Sequence, residues 1–411
     1  MYDKETIEYA QEQEHLVSNL EYRFYQHDDD RSHGRQELMR DYARVLYSSS
    51  FRRLQGKMQL FIPKSEVFYR NRLTHSHEVA QIAKTIAKKL KLSDTLTVQT
   101  CSLAHDIGNP PFGHAGENFL NEIYPEYPFE GNAQTLRILR KIEERHFEFN
   151  GLNLTIRTLL GVVKYYAPES STLFLPLNVK KTIPNKKFLY KGDYETVTKW
   201  ITEFGIEHKT IDCEIMDIAD EIAYAVHDLE DSLKLKYFTI DELLHEFNIS
   251  DDFKEITKEF ETFINKAKKF ANKAIVYETS EEYAMLFRKE LTSLLSSAFI
   301  IDLGLVNNKL SFLSLGKLVK GLKVLTFKSI KRRPDIIEYE QLGKHVISKL
   351  FEVYSDRTYN KNMVLMPANY RFEDYWERKV KDYIGGMMDN YAIQQYEKYF
   401  GELNKTGIYK L

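Results

Sequence analysis

The chain has 411 residues, 43% hydrophobic and 29% charged, with only 18 glycines and 10 prolines. That length allows two or three domains or one large intertwined unit, and the scarcity of turn formers disfavours an all-β chain, so a helical globular protein with a sizeable core is expected. The formal net charge of −2 excludes a general basic field that would recruit nucleic acid or an anionic membrane.

No stretch approaches the roughly 20 apolar residues of a membrane span, and the charged start Met1 to Glu5 lacks an apolar leader. Cys101 and Cys213 fall in apolar helical stretches and read as small core residues of a protein in a reducing cytosol. A cytoplasmic location without membrane contact is expected.

Residues 1–40 are polar, with Asp28-Asp29-Asp30 before Arg31, and read as a loose arm or short helices. From 38 to 55 the spacing of Leu38, Tyr42, Val45 and Leu46 predicts an amphipathic helix ending in Arg52-Arg53-Leu54-Gln55. A short β-like stretch follows, Met58 to Phe61. Helices are then predicted at about 74–91, 94–107, 115–122, 132–145 and 153–165. The first carries His75 ahead of Val79, Ile82, Ala83, Ile86, Ala87 and Leu90. The second ends in Ala104-His105-Asp106-Ile107-Gly108-Asn109-Pro110-Pro111, an imidazole and a carboxylate side by side where glycine and two prolines stop the helix.

Between Ala167 and Tyr194, Pro168, Pro176, Pro184 and many lysines predict a surface insertion with a short strand pair. The long helix predicted at about 208–235 carries polar side chains at 217, 220, 224, 228 and 231, one stripe too acidic to be buried without partners. Beyond it, Phe253, Ile256, Phe260, Phe263 and Ile264, and later Val346, Ile347, Leu350, Phe351 and Val353, predict a helical region to about 400.

His75 from one helix and His105-Asp106 from the next are able to meet in a bundle core, with Asp220 the candidate fourth group. Two imidazoles and two carboxylates suit a divalent transition metal, and four of the twelve histidines fall between 75 and 114. His77 is displaced two positions from His75, off that face, and reads as a packing residue. His114 and Glu117 stand three apart, so one helical turn brings them together, and an imidazole beside a carboxylate can be held protonated and aimed at a leaving oxygen.

Six blocks occur in order between about 40 and 400: Ser50-Phe51-Arg52-Arg53-Leu54-Gln55, Arg72-Leu73-Thr74-His75, the run from His105 to Glu117, Phe129-Glu130-Gly131-Asn132-Ala133-Gln134-Thr135, Asp220 to Asp231, and Asp382-Tyr383-Ile384-Gly385-Gly386-Met387. Together they resemble the HD-domain phosphohydrolases, and within them the deoxyguanosine triphosphate triphosphohydrolases (dGTPase-like dNTPases). The resemblance implies an all-α fold: an N-terminal arm and helix at 1–49, an HD-domain metal core at 50–235 with a small irregular or β-containing insertion near 167–194, and a C-terminal helical lobe at 236–411.

It further implies that His75, His105, Asp106 and Asp220 bind a divalent metal, with Mn or Mg serving in an assay and Fe, Co, Ni or Zn as further candidates. His114 would contact the phosphorus centre and protonate the departing 5′-oxygen, Glu117 would orient it, and Glu130 would support His114 or the nucleophilic water. Arg52, Arg53, Arg72, Lys164 and Tyr165 would meet the triphosphate, while Lys331-Arg332-Arg333 either contacts phosphate or solvates a turn. Gln55, Tyr224 and Asp228 would read the sugar, the aromatic face leaving little room for a 2′-hydroxyl and the carboxylate accepting from the 3′-hydroxyl. Asn109 stands where many members carry histidine.

The implied activity is attack of metal-bound water or hydroxide on the α-phosphorus of a deoxynucleoside triphosphate, dGTP foremost, releasing deoxynucleoside and inorganic triphosphate. A homo-oligomer is expected, with a nucleotide effector or single-stranded DNA as further candidate partners. Two alternatives remain: an HD phosphohydrolase acting on a monophosphate, cyclic nucleotide or alarmone, and a catalytically silent nucleotide or single-stranded DNA sensor. The Phe112-Gly113-His114 and Phe129-Glu130-Gly131-Asn132 blocks speak against the first, and the complete ligand set against the second.

Overall fold

Helix-forming periodicity dominates the chain, and helices dominate the computed structural model, which describes residues 2–25, 36–59, 70–143, 146–174, 180–184, 186–276, 278–371 and 375–403. The helices before the insertion are α1 (Lys4–Val17), α2 (Glu37–Leu46), α3 (Ser49–Arg53), α4 (Arg72–Lys89), α5 (Leu96–Ala104), α6 (Gly113–Glu122), α7 (Gly131–Arg137) and α8 (Ile156–Gly161). The strands β1 (Ser170–Phe174) and β2 (Lys180–Pro184) pair antiparallel, as the broken pattern there predicts. Then come α9 (Lys191–Phe204), α10 (Ile211–Lys234), α11 (Ile240–Ile249), α12 (Thr257–Ala271) and α13 (Ser280–Ile301). A second hairpin, β3 (Leu303–Val306) and β4 (Lys309–Phe312), precedes α14 (Gly316–Ile330), α15 (Pro334–Ser355), α16 (Trp376–Gly385) and α17 (Asp389–Phe400). The protein is therefore all-α in class, with two small hairpins among the described residues.

Some elements differ from the sequence expectation. The single helix expected at 38–55 breaks at Tyr47, because Ser48 caps a new helix by accepting the Phe51 amide and the Glu143 carboxylate takes the Ser49 and Ser50 amides. Within the polar first 40 residues, α1 is a full helix whose Ile7, Ala10, Glu14 and Val17 form a buried stripe. Met58 makes only an isolated bridge to Asn71, and the rest of that β-like stretch, from residue 60, lies outside the described residues.

The chain divides into two compact units, each assembled from three stretches. The first comprises Met1–Glu12, Gln81–Ser93 and Asp217–Ile337. Its core stacks Leu243 and Phe247 of α11, Phe260 and Ile264 of α12, Leu291 and Leu295 of α13, and Leu318 and Leu322 of α14, all buried. Gly321 admits the Phe247 ring, since a Cβ there would stand 2.8 Å from it.

The second unit comprises Gln13–Ala80, Asp94–Met216 and Glu338–Leu411. At its centre is α5, buried along Thr97, Val98, Thr100, Cys101, Ser102, Leu103 and Ala104. A helix without a polar face belongs inside a core, and α5 packs against α2 and α8. Gly161 of α8 allows the close approach, its missing Cβ leaving room for the Cys101 sulfur. This burial carries His105 and Asp106, which follow α5 directly, into the interior.

Candidate metal centre and catalytic dyad

His75 enters through the first turn of α4. Asn71 and Thr74 cap that turn reciprocally, the Thr74 amide donating to Asn71 Oδ1 at 2.9 Å and the Asn71 amide to Thr74 Oγ1 at 3.0 Å. His75, His105 and Asp106 are all buried, with one ligand atom from each lying within 4.8 Å of the others. The two imidazole rings are 5.6 Å apart.

The surroundings of these side chains fit a metal. His105 Nδ1 lies 2.6 Å from the Ser102 carbonyl, so that nitrogen carries the hydrogen and Nε2 presents its lone pair, the arrangement expected of a ligating histidine. The Asp106 carboxylate accepts from Arg72 Nη1 at 2.7 Å and Asn109 Nδ2 at 2.6 Å, two bonds that orient it toward the imidazoles. Buried, oriented imidazole and carboxylate donors suit a divalent ion. Arg72 is thereby placed as the partner of Asp106, and Asn109 does the same work from the other oxygen.

Asp220, Tyr224 and Asp228 lie on α10 at four-residue spacing, which puts them on one face. Asp220 is buried, and Tyr224 has the Lys323 ammonium 5.4 Å from its ring. These three belong to the first compact unit and the His75–His105–Asp106 cluster to the second.

Beyond the Pro110-Pro111 turn, α6 carries the second group. His114 is half-exposed and its Nδ1 stands 3.2 Å from the largely buried Glu117. Glu117 also accepts the Gly131 amide at 3.1 Å and lies 3.4 Å from Lys187 Nζ. Burial works to raise the Glu117 carboxyl, but His114, Lys187 and the Gly131 amide overcome it and bring the pKa down to about 2. The carboxylate is therefore fixed as an anion beside the imidazole.

Lys187 was not singled out by sequence. Its ammonium bridges Glu117 and Glu130, at 2.6 Å from the latter, and stands 5.5 Å from the Tyr165 ring centroid. Burial tends to lower this lysine, yet Glu130 and Glu117 outweigh it and raise the group above its ordinary value. Two lysine pairs at 180–181 and 186–187 hid it, since nothing in the spacing separates Lys187 from its neighbours. Glu130 caps α7 through the Ala133 amide at 2.7 Å and shares the Lys187 ammonium with Glu117.

The remaining expected contacts are scattered around this unit. Gln55 and Arg52 are exposed on the short helical segment after α2, and Arg53 donates to Ser50 Oγ at 2.7 Å. Lys164 is buried and Tyr165 partly exposed. His77 packs edge-on against Phe51 with centroids 5.6 Å apart. In the first unit, the basic run at 331–333 is taken up locally: Arg332 pairs with Glu246, and Arg333 lies over the Tyr237 ring at 5.0 Å.

Residues 72–225 match the HD domain, and residues 314–398 match the phosphohydrolase-associated domain. The chain is 52% identical over 412 residues to deoxyguanosinetriphosphate triphosphohydrolase-like protein 2 of Vibrio cholerae serotype O1, covering the whole of both chains. Deoxyguanosinetriphosphate triphosphohydrolase-like proteins of Bartonella tribocorum and Rickettsia rickettsii are 32% and 33% identical, over 90% and 89% of this chain and 90% and 91% of theirs. No helix among the described residues is long and apolar enough to cross a membrane. With a relative of this identity along its full length, the chain belongs to the HD-domain deoxyguanosine triphosphate triphosphohydrolase-like family of phosphohydrolases.

Proposed function

We propose that the protein hydrolyses deoxynucleoside triphosphates, dGTP foremost, to deoxynucleoside and inorganic triphosphate. The observation that carries this reading is the buried His75–His105–Asp106 cluster followed, across one turn, by the His114–Glu117 pair. Asp220 completes the proposed ligand set for a divalent ion, Mn or Mg in an assay. When bound, that ion supplies Lewis-acid polarisation of the α-phosphoryl group and offsets part of its charge.

The protein's own groups do the rest. His114 gives a proton to the departing 5′-oxygen, and the anionic Glu117 holds the ring oriented and stabilises its charged form. Lys164, Lys187, Tyr165 and Arg53 hold the triphosphate, whose charge needs several cations. Gln55, Tyr224 and Asp228 read the deoxyribose, and Glu130 keeps Lys187 in place. A homo-oligomer in a reducing cytosol, open to a nucleotide effector or single-stranded DNA, completes the proposal.

The test is to incubate the purified protein with each dNTP and Mn and to separate the products. Deoxynucleoside with triphosphate is expected; diphosphate with orthophosphate would move the attack to the γ-phosphorus and overturn the reading. Asp106→Ala should lose both bound metal and turnover.

A further inference from the structure

The turn that launches α6 is held by a part of the chain that the proposed chemistry does not otherwise use. Phe112 adopts the left-handed conformation, φ 62° and ψ 24°, which is disfavoured for an L-residue with a bulky side chain and persists only where its surroundings impose it. Asp389, at the start of α17, accepts the Phe112 amide through Oδ1 at 3.0 Å. Its other oxygen accepts the Met58 amide at 3.1 Å and the Tyr339 hydroxyl at 3.2 Å.

Other contacts reinforce the same turn. The buried ammonium of Lys57 donates to the Asn109 carbonyl and, at 2.9 Å, to the Gly385 carbonyl. The Phe112 ring is buried over Gly343, where a Cβ would come within 2.5 Å of Cγ. Burial pushes the Asp389 carboxyl up, and the Phe112 and Met58 amides and Lys57 pull it back.

The turn has Asn109, bonded to Asp106, at one end and Gly113-His114 at the other. We infer that Asp389 is a positioning residue for His114: by holding the Phe112 amide it fixes where α6 begins, and so where the imidazole stands relative to Asp106. The inference rests on the reading of His114 as the proton donor. Asparagine at 389 keeps the size and one acceptor, but its amide nitrogen cannot accept, so one of the two amide bonds is lost.

Full-length parent, D389N, H114A and the double variant are compared with Mn on dGTP and on its analogue with sulfur in place of the 5′-oxygen, whose 5′-thiolate leaves without a proton. D389N should lower kcat on dGTP roughly 10- to 100-fold with KM within a few-fold, the double variant should be no slower than H114A, and turnover of the 5′-thio analogue should be far less affected by D389N. Additive losses, or equal losses on both substrates, overturn the assignment.

Amide hydrogen exchange of the metal-free protein supplies a readout independent of turnover. Faster exchange confined to residues 110–117 in D389N supports the inference, whereas unchanged exchange or a loss of protection throughout the chain overturns it. A parent that releases no deoxynucleoside sinks the proposed function instead, and the exchange comparison still decides the role of Asp389.

Discussion

Asp106 shows how a single candidate ligand is prepared by its neighbours. One oxygen takes Arg72 and the other takes Asn109, so the carboxylate is oriented before any ion arrives. Outer contacts of this kind typically contribute 10- to 100-fold in metal affinity. Asn109→Ala should therefore weaken Mn binding at least about tenfold while leaving the thermal midpoint nearly unchanged, as isothermal titration and a melt would show; unaltered affinity would deny Asn109 this role. Lys187 gives a second prediction. The Glu117 pKa in the folded protein, about 2, lies below the ordinary carboxyl value, so its contribution to stability is complete above the unfolded value near 4.3 and is lost as pH falls through about 2. Lys187→Met removes one of the groups that lower it, so the acid-side loss, which still begins near the unfolded value, should be smaller and should end at a higher pH. Melting midpoints from pH 7 down to 3 measure this, and superimposable profiles would contradict it. At this scale His75, His105 and Asp106 were legible because their types and spacing are distinctive, while Lys187 acquires meaning only from the fold that brings it to Glu117 and Glu130.

Buried charge pairs fix which helices meet. Asp382 of α16 accepts from Arg137 Nε at 3.0 Å and Nη2 at 2.6 Å, and from Gln134 Nε2 at 2.9 Å, tying α16 to α7, whose first turn carries the Glu130 cap. Replacing Asp382 with Ala would leave a buried guanidinium without its counter-ion, a change that costs about 3–5 kcal/mol. The melting midpoint should fall by roughly 10 °C; a fall below about 2 °C would show that the pair is solvated or replaced by another partner. The helices themselves were legible through their apolar period, and α4, α5, α6 and α10 lie close to their expected spans. The interruption after α2 was not, because it depends on Glu143, nearly a hundred residues away, taking the amides of a new helix start. The hairpin β3–β4 was missed for a local reason: its turn is made by Asn307 and Asn308, both at positive φ, and asparagine is a known though weaker substitute for glycine in such turns.

Over the whole molecule, the compact unit that contains the His75–His105–Asp106 cluster includes Glu338–Leu411. That stretch supplies Asp382 to Arg137, the Lys381 ammonium to the Tyr124 and Tyr127 carbonyls at 2.8 and 2.6 Å, and Asp389 to the turn before His114. Burial pulls the Lys381 pKa down to about 7, a measure of how fully this lysine is enclosed by the groups it joins. Hydrophobic periodicity marks the helices of this stretch but carries no information about which distant segment they cover, since apolar faces are interchangeable in sequence and only the buried polar pairs select a partner. A chain ending at Ile337 keeps every candidate metal ligand and the entire match to the HD domain, yet it exposes Arg137, the α5–α6 turn and the faces buried by Leu350, Tyr354 and Ile384. Such a truncation should be insoluble or rapidly cleaved within 94–216 and should bind no stoichiometric Mn. Limited proteolysis and metal analysis of the refolded fragment check this: a protease-resistant fragment with bound metal would show that the HD segment stands alone and that the last stretch merely decorates it.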